Sequence, residues 1–112
     1  MILKLYWTDS KGNEYHLGNL YKLENEYCFD IIEVELKNAL RHGCFGIGNM
    51  DISKTSQRNS ELFEFFKNRI PKENELTNEE LLEIYGLDKY NEMEILKISG
   101  GKLLKDRYFL EE

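Results

Sequence analysis

The chain has 112 residues, a net charge of −6, and 41% hydrophobic and 12% aromatic side chains. This is enough apolar material for one cored domain, taken as residues 1–112, and too much for a disordered chain. The acidic balance argues against a general nucleic-acid binder, and no apolar run approaches the ~20 residues that a membrane helix needs.

Met1-Ile-Leu-Lys-Leu-Tyr-Trp7 lacks the basic region and cleavage site of a signal peptide, so the expected location is the cytoplasm, with no membrane partner. Leu3, Leu5 and Trp7 alternate with Ile2, Lys4 and Tyr6, the period-two pattern of a strand with one face on a core. Asp9 to Asn13, with Gly12, predicts a turn; Tyr15–Leu23 and Tyr27–Ile32 then complete a three-stranded antiparallel meander. From Ile32 to His42 the spacing becomes helical, with Val34, Leu36 and Leu40 expected inward and Gly43 as the stop. Residues 44–59 are rich in Gly, Asn and Ser and are expected to form an irregular connection long enough to bind something.

Ser60 to Pro71 reads as an amphipathic helix capped by Asn59 or Ser60 and ended by the chain's one proline, with Leu62, Phe65 and Phe66 on one stripe. Arg69 falls on the edge of that stripe. It suits either a structural bond to helix or loop carbonyls or a charged anchor at an interface. Thr77-Asn-Glu-Glu80 is a capping box opening a helix with Leu81, Ile84 and Tyr85 inward and a stop at Gly86. A last helix, Glu92 to Ser99, stops at Gly100-Gly101, and Arg107 to Leu110 reads as a closing strand. The fold class is therefore α+β: a small antiparallel sheet, made of the meander and a C-terminal strand, packed with about four short helices.

Charge is uneven. Eight acidic residues between 73 and 94 face one Lys89, whereas 54–72 is locally basic. Cys28 and Cys44 lack metal-ligand or disulfide-scaffold spacing and read as buried, reduced thiols. Gly43-Cys-Phe-Gly46-Ile-Gly48 follows a helix and lacks the third glycine of a dinucleotide fingerprint, so turn glycines are expected. The two histidines, His16 and His42, stand in no catalytic pattern. No catalytic, cofactor-binding or metal residue is assigned.

In order, Trp7, Leu17-Gly18-Asn19-Leu20, Tyr27-Cys28-Phe29, Leu62-Phe-Glu-Phe65-Phe66-Lys-Asn68-Arg69-Ile-Pro71, Glu80-Leu-Leu-Glu-Ile-Tyr-Gly86 and Glu94 to Gly101 form a run. It resembles the N-terminal domain of the HipA-type serine/threonine kinase toxins. A stand-alone version of that domain, HipS, binds and restrains a shortened kinase. The run is also similar to a bacterial segment that precedes HIRAN domains, which Gly100-Gly101 to Asp106 fits better than the usual HipA-type ending. The resemblance covers nearly the whole chain but stops short of a kinase half, so no phosphotransfer activity carries over. What it implies is a non-enzymatic, HipS-like antitoxin-type partner of a HipT-like kinase. The alternative is an accessory module of a HIRAN-linked DNA-processing or phage-defence system, although nucleic-acid binding by the chain alone is not expected. The expected partner contacts are Asp51, Lys54, Arg58, Lys67, Asn68 and Arg69.

Overall fold

The computed structural model describes residues 1–70 and 77–112. Strands β1 (Ile2–Thr8), β2 (Glu14–Leu23) and β3 (Glu26–Ile31) form the expected meander, followed by helix α1 (Glu33–Arg41), strand β4 (Ser56–Asn59) and helix α2 (Glu64–Lys67). Helices α3 (Asn78–Tyr85) and α4 (Glu92–Ser99) and strand β5 (Tyr108–Glu111) complete the described chain. The strands make one antiparallel sheet in the order β4-β3-β2-β1-β5.

The α+β expectation holds, with one strand more than expected: the connection 44–59 ends in β4, paired with β3 from Tyr27–Asn59 to Asp30–Ser56. Ser56-Gln-Arg-Asn59 has no apolar alternation. Its strand form comes from the free backbone groups of β3, which need partners wherever they leave water. A short polar strand also blunts the sheet edge against further pairing.

Alternation places Leu3, Leu5, Trp7, Leu20, Tyr27, Phe29 and Ile31 on one face, where they form a core with Leu36, Ala39, Phe66, Ile95, Leu96 and Leu110. Between Leu5 and Tyr6 the register slips, leaving Leu17 as a bulge residue that is buried and whose carbonyl takes the Ile32 amide at 2.9 Å. Gly18 lies in this strand because the Phe29 ring lies against it. A Cβ there would sit 2.5 Å from both Phe29 Cζ and the Asp30 carbonyl.

The opposite face carries a ladder of stacked rings, Phe109–Tyr6–His16, with centroids 5.1 and 5.0 Å apart. Beside it the row Ser56, Asp30, Asn19, Lys4 and Glu111 crosses all five strands in register. Tyr21 and Ser56 both donate to Asp30, and His16 Nε2 to Asn19 Oδ1 at 2.7 Å. These rings face each other, so the ladder is cross-strand stabilisation of the sheet rather than a stacking platform for a ligand.

Several helical expectations need correction. The Phe-rich helix does not run from Ser60. Phe63 has extended backbone (φ −59, ψ 141), and only Glu64–Lys67 is helical, with single-turn bonds continuing to Ile70. A straight helix would aim Leu62, Phe63, Phe65 and Phe66 over a wide arc. Breaking it lets Leu62 and Phe66 enter the core from different directions, while Phe63 and Phe65 pack against its side. The expected stop at Pro71 lies outside the described residues. In α1 the inward pair is Leu36 and Ala39; Val34 is 66% exposed and Leu40 is also exposed, because β2 meets one narrow stripe. In α3 Leu81 is buried and Tyr85 packs on the core, but Ile84 is 61% exposed.

The cap expected at Asn59 or Ser60 is not formed, since α2 begins after Phe63 without a side-chain cap, but the end signals of α3 are observed. Thr77 Oγ1 accepts the Glu80 amide at 3.1 Å, Gly86 adopts the left-handed conformation (φ 66), and the Leu87 amide reaches back to Leu82 O at 2.8 Å. Both cysteines are buried and unpaired.

The β1–β2 turn is organised by Asp9, whose carboxylate accepts from the Lys11 and Asn13 amides, Asn13 Nδ2 and the Tyr15 hydroxyl. Desolvation works against its charge, but these bonds outweigh it and hold its pKa down at about 2. A depressed carboxylate contributes stability that is complete above about pH 4 and is lost as pH falls toward 2. Denaturation midpoints measured from pH 7 to 2 should therefore fall more steeply over that window for the native chain than for Asp9→Asn.

Candidate functional site

Arg69, expected on the edge of the apolar stripe, is 6% exposed. Its Nη2 donates to Asp106 Oδ2 at 2.7 Å, and Nη1 to Asp106 Oδ1 at 3.3 Å and to the Gly101 carbonyl at 2.9 Å. The guanidinium carbon lies 4.3 Å from the Phe65 ring centre and 5.0 Å from that of Tyr108. These two rings are themselves 5.0 Å apart and nearly perpendicular. Of the two readings open for Arg69 in the sequence, the bond to a loop carbonyl is the one observed. Two motifs that carry the family resemblance, Asn68-Arg69 and Gly100-Gly101 to Asp106, thus meet in one buried fork–fork pair.

Phe65, Arg69 and Tyr108 thus pack together as a pillar. The Tyr108 hydroxyl donates to the Gly46 carbonyl, with Cys44 Sγ 3.4 Å from that oxygen and 3.6 Å from the hydroxyl. Burial, followed by Cys44 and Asp106, pushes the phenol far above its ordinary range against the opposing pull of Arg69. Tyr108 therefore stays protonated and keeps the 43–50 loop fastened to β5. The glycines of that loop are turn residues, as expected: Gly43, Gly46 and Gly48 all have positive φ.

Above this pillar opens a groove of about 580 Å³, walled by Phe63, Phe65, Met50, Leu103 and Tyr108 and edged by Asn49, Gln57 and Asn68. Of the expected contact residues, Asn68 is exposed on the groove and Arg69 lines it from below. Asp51 and Lys54 abut it through Gln57, whose Nε2 donates to their carbonyls at 2.7 and 3.5 Å. Asp51 itself is held below its usual pKa by the Ser53 hydroxyl and amide. The other two lie elsewhere. Arg58 pairs with Cys28 on the opposite face of the sheet, and Lys67 is tied to Glu61 at 3.2 Å.

The 44–59 stretch was expected to bind, and its Phe45 is 99% exposed at the groove edge. Sequence reasoning missed Leu104, also fully exposed, on the turn whose Leu103 and Lys105 line the groove. The one signal for it was a leucine pair flanked by Lys102 and Lys105, too short for any element. Among the described residues, no helix is long and apolar enough to cross a membrane.

The fold and groove define a small α+β domain with an aromatic cleft. No protein-family model matches the chain, and no curated protein matches it.

Proposed function

We propose that this chain is a non-enzymatic protein-binding regulator, the HipS-like partner of a kinase-fold protein. One observation carries the protein-binding reading: Phe45 and Leu104, on two separate loops, stand wholly in solvent around an aromatic groove. Burying a side chain of this size contributes ~1.5–3 kcal/mol, which a partner would gain and the isolated domain forgoes. Both loops are fastened to the core by the Arg69 and Tyr108 bonds, so the surface is held in shape before anything binds. The kinase-fold identity of the partner comes from the resemblance.

The alternative DNA-linked reading gains no support from charge. Among the described residues of the basic stretch, Lys67 and Arg69 are in ion pairs and Arg58 lies across the sheet, so these three form no continuous strip for a phosphate backbone.

Capture from the native host with the tagged chain, beside a Phe45→Ser/Leu104→Ser double variant, tests the reading. The expected result is a kinase-fold protein recovered in stoichiometric amount by the native chain and lost from the variant. The variant should melt within about 2 °C of the native chain, because both side chains are already in water. Recovery of nucleic acid alone, of nothing, or of the same protein by both chains would overturn it.

A further inference from the structure

The chain carries −6, yet the charges lining the groove balance: Arg69 is bound to Asp106, and Glu64 shares the lining with Lys105. Apart from the Tyr108 hydroxyl, already bonded to the Gly46 carbonyl, its other polar side chains are carboxamides, on Asn49, Gln57 and Asn68. A carboxamide offers a donor and an acceptor, the same pair that a peptide group presents. Gln57 already gives its NH₂ to the Asp51 carbonyl, which leaves its oxygen as an acceptor. Among the described residues, Arg69 Nε is the buried side-chain nitrogen or oxygen without a hydrogen-bond partner. It is closed to solvent, so the groups open to a ligand are the three carboxamides.

We propose that the groove takes an extended, uncharged segment of the partner polypeptide. An apolar side chain of that segment lies among Phe63, Phe65 and Met50. Its peptide groups bond to the Asn49, Gln57 and Asn68 carboxamides. This rests on the protein-binding reading above and adds the chemistry of what is bound. An acidic segment or a nucleic acid would need a surplus of cations, and the lining has none.

The test is titration of the ¹⁵N-labelled full chain with a blocked hexapeptide, serine-leucine-phenylalanine-glycine-leucine-serine. Three comparisons run beside it: the same peptide with glutamates for the serines, a version N-methylated through its apolar centre, and oligothymidylate. The neutral peptide should shift the amides of Gly48, Asn49 and Asn68, with affinity changing less than about twofold between roughly 50 and 500 mM salt. N-methylation, and separately Asn68→Ala at its exposed position, should each weaken binding by about tenfold. Equal binding of the N-methylated peptide, tighter and salt-sensitive binding of the glutamate peptide or oligothymidylate, or an absence of shifts at the groove would overturn it. If partner capture depends on Phe45 and Leu104 while the peptides show none of these preferences, the protein-binding reading stands and this inference falls.

Discussion

Replacing Arg69 by methionine is expected to lower stability by about 3 kcal/mol, read as a fall in the urea midpoint at unchanged slope. Methionine keeps the apolar stem that packs near Phe65 but removes both bonds to Asp106 and the bond to the Gly101 carbonyl. What remains is a carboxylate only a quarter exposed and a buried carbonyl, each without its donor. Breaking one side of a fully buried pair costs about 3–5 kcal/mol, and the partial exposure of Asp106 sets the lower end. The double variant Arg69→Met/Asp106→Leu should recover part of the loss, since the stranded charge is then gone. If the double variant is as unstable as the sum of the two single changes, desolvation of Asp106 is not the cause.

Phe66→Ala should cost about 3–5 kcal/mol and lower the melting temperature by about 15 °C. Phe66 is fully buried, with its ring 5.4 Å from Phe29, 5.2 Å from Phe65 and 6.4 Å from Phe63. Its removal opens a void between the sheet and the short helix α2, and the surrounding rings are too rigid to collapse into it. The contrast with the Phe45→Ser/Leu104→Ser variant is the useful one: loss of one buried Phe should strongly destabilise the domain, whereas loss of two exposed apolar side chains should leave its stability almost unchanged. A loss under about 1 kcal/mol for Phe66→Ala would mean that α2 is not an anchor of the core.

Signals carried by neighbouring residues were legible. The meander alternates, Asp9 and Gly12 mark their turn, and Thr77, Gly86 and Gly100 mark helix ends, because each acts on backbone groups within four residues of itself. What failed was set by distant partners. Ser56–Asn59 is a strand because β3 lies beside it, not because of its own composition. Val34 and Ile84 follow helical spacing yet face water, since which apolar stripe is buried depends on where the sheet sits. For the groove, the 44–59 loop was found but its floor was not. Asn68 could be placed from its position after the Phe run. That Arg69 turns inward depends on Asp106, 37 residues away, and nothing around Arg69 announces that acceptor.

The same 37-residue gap sets an order of events during synthesis. A ribosome adds ~5–20 residues per second, so Arg69 is made about 2–7 s before its acid. Over that interval the outer edge of β1 also waits for β5, although the meander and the Phe cluster are already available. Until β5 is made, at most four of the five strands can pair and Arg69 lacks its acid. Residues 106–110 supply all three missing contacts together: the partner for the sheet edge, the acid for Arg69 and the Tyr108 bond that fastens the groove loop.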